Sequence, residues 1–136
     1  MFILRKIINS KSNNAEPMRM PTTAGVAYKF GTLLTQKDGA VTNSAASDIP
    51  SFVAAECAAA DEKESILCYP IFEEMLFEAP ITAGISSAVP GTRFNLSLIS
   101  GFAVRLGTVS ETGAAVLVDA AGAKKSGDKV LVRFVK

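Results

Sequence analysis

Apolar residues in this chain come in short runs broken by Gly, Pro, Asp and Ser, and nowhere as a sustained 3.6-residue repeat. Runs of this length, with turn residues between them, predict strands rather than amphipathic helices. The most apolar and aromatic stretch covers 66–80 (Ile66-Leu67-Cys68-Tyr69-Pro70-Ile71-Phe72, then Met75-Leu76-Phe77). Pro70 would break a helix there, so the pattern predicts a long buried pair of strands. The rest of the chain is expected to fold around that pair.

From Gly25 onward the predicted strands follow one another closely. Val26 to Phe30 reads as one, and Leu33-Leu34-Thr35 as the next. Lys37-Asp38-Gly39-Ala40 holds the Asp-Gly pair that tolerates positive φ, so a hairpin is expected, with Val41-Thr42 on its return strand. Residues 44–50 read as a loop and 51–57 as a strand. The Ala-rich segment 54–64 has high helix propensity, but Phe52-Val53 precedes it and β-type sequence resumes at Ile66. The preferred reading is the end of a strand and then an acidic loop, with a short helix as the competitor. After a linker at 81–91, Arg93 to Leu98 alternates polar and apolar residues, as a half-buried strand does. Phe102 to Leu106 and Ala115 to Asp119 continue the series. Val130-Leu131-Val132-Arg133-Phe134-Val135 is apolar on both faces, which predicts a central strand. The expected fold is all-β, a small antiparallel β-barrel or sandwich over residues 25–136.

Residues 1–24 differ in character. Phe2, Ile3, Leu4, Ile7 and Ile8 lead into a polar stretch, and Pro17 and Pro21 then favour an extended path. An extended N-terminal arm is expected. Something must hold an arm this polar, either its own domain or a neighbour, and the reading preferred here is a grip on another molecule. Phe2, Ile3, Leu4, Ile7 and Ile8 are the candidate partner-binding residues, because strand addition satisfies backbone groups while burying alternate side chains.

Composition narrows the options further. With 136 residues, 49% hydrophobic and 20% charged, the chain can bury a core of its own. The net charge of +1 provides no pull toward nucleic acid or an anionic membrane. Charge is nonetheless grouped, basic near both ends and acidic in the middle. No apolar run approaches the ~20 residues that span a bilayer, and the opening residues lack the layout of a signal peptide. The expectation is a protein made in a reducing cytoplasm, with Cys57 and Cys68 as buried thiols. The chain contains no histidine, which removes the usual Ser-His and Cys-His nucleophile pairs and the common zinc ligand sets. Glu73 and Glu74 are adjacent, and on a strand they would face opposite ways. No catalytic residue, no cofactor and no metal is expected, nor any small-molecule substrate.

Several segments resemble one known family. Tyr28-Lys29-Phe30-Gly31-Thr32-Leu33-Leu34, the Asp38-Gly39 turn, Ile49-Pro50-Ser51-Phe52-Val53-Ala54-Ala55-Glu56 and the ending Gly127-Asp128-Lys129-Val130-Leu131-Val132-Arg133-Phe134 are similar to the small β-barrel head decoration (capsid cement) proteins of tailed bacteriophages. The resemblance covers residues 25–136. It implies a structural virion protein, made in the host bacterial cytoplasm, that binds the outer capsid surface and stabilises the head. The implied partners are the major capsid protein and further copies of the chain, often as a trimer, with no nucleic acid and no membrane. The alternatives are another small-barrel virion component, such as a head fibre base or tail protein, and an oligonucleotide- or oligosaccharide-binding barrel.

Overall fold

The computed structural model describes residues 2–7, 16–81, 89–100, 103–120, 122–123 and 125–135, with backbone alone for 4–7, 98–100 and 103–108. The described residues form eleven strands and no helix. One antiparallel sheet has six strands in the order β1-β7-β11-β10-β8-β9: β1 (Ile3–Ile7), β7 (Met75–Pro80), β11 (Lys129–Phe134), β10 (Ala115–Asp119), β8 (Arg93–Ser100) and β9 (Ala103–Val109). The other has five, β2-β6-β5-β3-β4: β2 (Met18–Pro21), β6 (Ser65–Pro70), β5 (Phe52–Ala54), β3 (Leu33–Lys37) and β4 (Ala40–Asn43). The small all-β fold read from the pattern is the observed one.

Two cores result, and the five-stranded sheet separates them. Leu33 and Val53 are cross-strand partners, and so are Leu34 and Phe52. Leu33 and Val53 join the core of the six-stranded sheet, with Phe2, Ile71, Phe77, Phe94, Leu117, Val132 and Phe134. Leu34, Phe52 and Ala54 point the other way, into a smaller cluster with Met20, Tyr28, Val41, Ile66 and Cys68. Because successive side chains on a strand point to opposite faces, a strand buried on both faces must be apolar at consecutive positions. The runs Leu33-Leu34 and Phe52-Val53-Ala54 meet that demand.

The five-stranded sheet also curls until its ends meet. Thr22, just past β2, forms a parallel bridge with Val41 of β4. The Tyr28 hydroxyl and the Thr23 hydroxyl (3.0 Å) both donate to the Val41 carbonyl oxygen, and the Thr23 N–H donates to the Tyr28 hydroxyl at 2.9 Å. These bonds give the edge of β4 partners that a sixth strand would otherwise supply.

The 66–80 stretch does organise the fold, but not as a pair. β6 belongs to the smaller sheet and β7 to the larger, and residues 71–74 carry the chain between them. Ile71 enters the larger core, while its N–H donates to the Ser51 carbonyl at 2.8 Å. Pro70 helps to end β6, and the chain turns at Glu73-Glu74. The predicted strand at Val26 to Phe30 shrinks to one bridge between Tyr28 and Ala58, bonded both ways at 2.8 and 3.0 Å. Gly25 (φ 75°) and Gly31 (φ 76°) turn the chain away on either side. That bridge also explains why 54–64 is not a helix. Ala58 is committed to Tyr28, and Asp61 sits at φ 59°, inside a turn closed by the Ala59 N–H on Glu62 Oε2 at 2.6 Å. The strand-then-acidic-loop reading holds. So does the hairpin, with Asp38 (φ 50°) and Gly39 (φ 80°) both left-handed as a type I′ turn requires. β11 lies between β7 and β10 as a central strand.

The N-terminal segment is extended, but the described parts of it are built into both sheets. β1 pairs with β7 at one edge of the larger sheet, and β2 pairs with β6 in the smaller. The polar stretch 9–15 and the linker at 82–88 lie outside the described residues.

Gly113, where the chain turns from β9 toward β10, has no room for a side chain. A Cβ at this position would lie 2.3 Å from the backbone carbonyl carbon and oxygen of Phe94. Backbone cannot swing aside as a flexible side chain can. Gly113→Ala is therefore expected to destabilise the fold by about 2 kcal/mol or more. A thermal melt should read this as a fall in Tm of about 5–10 °C.

Candidate functional site

Phe2 is not available to a partner. It is 2% exposed, its ring lies 5.7 Å from that of Phe134, and Phe134 in turn meets Phe77 edge-on at 5.5 Å. The Phe2 N–H donates to the Gly31 carbonyl at 2.8 Å. The ring of Phe2 instead fills the larger core at this end, against Phe134. Ile3 stands opposite Glu78, Leu4 opposite Phe77, and Ile7 opposite Met75 on the ladder to β7. One backbone edge of β1 is thus satisfied inside its own chain. Ile8 lies outside the described residues.

The acidic residues sort into structural and exposed groups. Glu56 follows β5, whose ladder with β6 ends at the Ala54–Cys68 pair. The next amide along β6, Leu67 N–H, donates to Glu56 Oε1 at 2.9 Å. The same carboxylate meets Arg19 of β2 at 3.3 Å and Lys63 of the acidic loop at 3.3 Å. The Leu67 amide, followed by the two cations, holds its pKa below the ordinary 4.5, against the partial burial that opposes them. Glu56 therefore ties three segments of the smaller barrel together. Glu78 pairs with Lys129 across the β7–β11 ladder at 3.2 Å. Glu73 and Glu74 lie exposed on the turn between β6 and β7 rather than on a strand.

The two cysteines differ. Cys68 is fully buried, its thiol donating weakly to the Met18 carbonyl at 3.6 Å, and burial pushes its pKa up to about 11. Cys57 is exposed, contrary to expectation, because it stands on the loop beyond β5 and not on the strand itself. Its Sγ accepts the Phe30 N–H at 3.3 Å. Around it opens a shallow, mostly apolar depression of about 680 Å³, lined by Ala27, Tyr28, Phe30, Cys57, Ala59 and Glu62.

Exposed apolar side chains mark the remaining surface. Ile49 is 51% exposed and Phe72 54%. Phe52 pairs with Pro70 and the Ile71 N–H reaches the Ser51 carbonyl, so Ile49 and Phe72 extend from the same end of neighbouring strands. Phe30, 47% exposed, lies beyond the opposite end of β3, next to the depression. Sequence reasoning missed these residues, because an apolar residue before or after a strand looks the same whether it turns inward or outward. Among the described residues no three side chains of metal-ligating type converge. No family model matches the chain, and no curated protein matches it in sequence.

Two measurements check these assignments. In native protein one thiol, Cys57, should react rapidly with a soluble disulfide reagent, and the second only after unfolding. Two fast thiols in the native state would contradict the burial of Cys68. The folded-state pKa of Glu56 is depressed, so its contribution is present above 4.5 and is lost as pH falls through the lower folded value. Glu56→Gln should thus lower Tm by about 2–4 °C at pH 7. The gap from the parent protein should narrow as the pH falls below 4.5.

Proposed function

We propose that this chain is a structural virion protein of a tailed phage, seated on the outer surface of the capsid and stabilising the head. The resemblance to decoration proteins motivates this reading, and the small two-core β fold of the described residues accords with it. The segments that carry the resemblance fall on Tyr28, β3, β5 and β11, where they build the wall between the cores and the centre of the larger sheet. The observation that bears most weight is the exposed apolar end of the smaller barrel. Ile49 and Phe72 offer large apolar side chains on a rigid body, beside the exposed carboxylates Glu73 and Glu74. A contact of this kind has an apolar centre and a charged rim, and it seats between neighbouring subunits. Each contact is weak, but repetition over a lattice with further copies of the chain adds up through avidity. In this reading the apolar end replaces Phe2 as the anchor.

The test is co-sedimentation of the purified chain with expanded heads and with unexpanded procapsids of its phage. Saturable binding to expanded heads is expected, and an Ile49→Asp, Phe72→Asp double variant should lose most of it. Both positions are exposed, so the variant should keep the parent Tm within a few degrees. No binding by the parent chain removes the capsid reading. Full binding by the double variant removes this surface from it.

A further inference from the structure

Two surfaces of this chain complement each other in charge, and both are partly apolar. The first is the outer face of the six-stranded sheet. Arg93, Val116 and Arg133 stand in one row across β8, β10 and β11, because Val116 is the register partner of both arginines. Their neighbours along the strands, Phe94, Ala115, Leu117, Val132 and Phe134, enter the larger core, so the row faces away from it. Val116 is 7% exposed although it belongs to neither core. The arginines on either side are half-buried, and their aliphatic stems shelter an apolar residue while the guanidinium groups stay at the surface. Arg93 is fixed by its Nε, which donates to the Gly113 carbonyl at 2.8 Å and leaves its two terminal nitrogens for another acceptor. Among the described residues no carboxylate is ion-paired to either arginine, Glu111 in the crevice beside Arg93 included. Lys129, also on β11, is already matched by Glu78. The second surface is the exposed end of the smaller barrel, where Ile49 and Phe72 stand beside Glu73 and Glu74.

We infer that a second copy of this chain docks its Phe72-Glu73-Glu74 end onto the row of Arg93, Val116 and Arg133. The two arginines are two strand spacings apart, about 10 Å, which leaves room for one aromatic ring over Val116. Phe72 takes that place, with a guanidinium on either side of its ring. Glu73 and Glu74 follow it directly in sequence and supply one carboxylate for each arginine. Charge selects this pairing, because either surface set against its own counterpart would oppose like charges. The contact is heterologous, so association passes from copy to copy until a ring closes. It stands on the purified chain alone. Its consequence for capsid binding rests on the reading proposed above: the head and a second copy compete for the same end, and a free chain gives up its neighbour to seat on the head.

Sedimentation equilibrium on the full chain at low salt, from about 10 µM to about 1 mM, should show an average mass that rises with concentration past that of a dimer. Added salt should lower that mass, since part of the attraction is between charges at the surface. Arg133→Glu in one variant, and Glu73→Arg with Glu74→Arg in another, should each weaken association about tenfold. An equimolar mixture of the two should associate again, because one keeps the parent's acidic end and the other keeps the parent's arginine row. A thermal melt of each confirms folding, and should either fail to fold, the salt response of the parent decides. A monomer throughout, a mass that stops at the dimer, association indifferent to salt, or a mixture that associates no better than its components would overturn the inference. On expanded heads Arg133→Glu, with its acidic end intact, should bind at least as tightly as the parent, and weaker binding would overturn the competition. The measurements on the purified chain involve no heads, so their failure and that of the capsid reading are told apart.

Discussion

The fold depends on one short ladder, the two residue pairs between β3 and β5. Leu33–Val53 and Leu34–Phe52 sit side by side, and each pair serves a different core. A sheet with one face in water needs apolar residues at every second position, whereas this wall needs them at every position. Neither core can be altered from this wall without affecting the other. A larger side chain at 34 pushes against Tyr28 and Phe52, and any shift of the backbone that relieves it moves Leu33 against the larger core. Burial on both sides removes roughly 1.5–3 kcal/mol of unfavourable exposure per large apolar side chain. Four such residues stand in these two adjacent pairs.

Everything else can be placed relative to that wall. The smaller sheet wraps around its outer face until β2 and β4 meet, and the closure is completed by hydroxyls instead of a strand, with Tyr28, Thr22 and Thr23 in place of backbone donors. The larger sheet covers the inner face with Phe77, Phe94 and Phe134, and Phe2 seals its end. Residues 71–74 are the span that lets the most apolar stretch of the chain serve both bodies. One consequence is that the described parts of the N-terminal segment contribute an edge to each sheet.

Much of this was legible in the sequence, for identifiable reasons. The Asp38-Gly39 hairpin, the central position of β11 and the alternation of β8 follow from local chemistry, and local chemistry settled them. What could not be read is the partition of strands between sheets. Periodicity says that 66–80 is strand twice over, but it does not say which ladder each half joins, because pairing is decided by contacts distant in sequence. The misassigned strand at Val26 to Phe30 has the same origin. Its pattern is that of a strand, yet among the described residues its β partner is Ala58, through a single bridge. Side-chain exposure was least legible of all. Cys57 and Cys68 sit in similarly apolar surroundings along the chain, yet one lies beyond a strand end and the other within a closed barrel.

The same limit explains why the N-terminal apolar residues pointed toward a partner. A cluster such as Phe2, Ile3, Leu4, Ile7 and Ile8 is the signature of any strand that must be buried, and sequence does not record whose core buries it. Here the chain's own core claims Phe2. Surfaces for a partner must then lie where burial within the chain runs out, at strand ends, sheet edges and outer faces. Ile49 and Phe72 are found in such places, just past the ends of strands. The sheet edges themselves are guarded. Cations and a register shift on β1, Pro21 on β2, hydroxyl closure on β4 and a register shift on β9 all limit unwanted pairing.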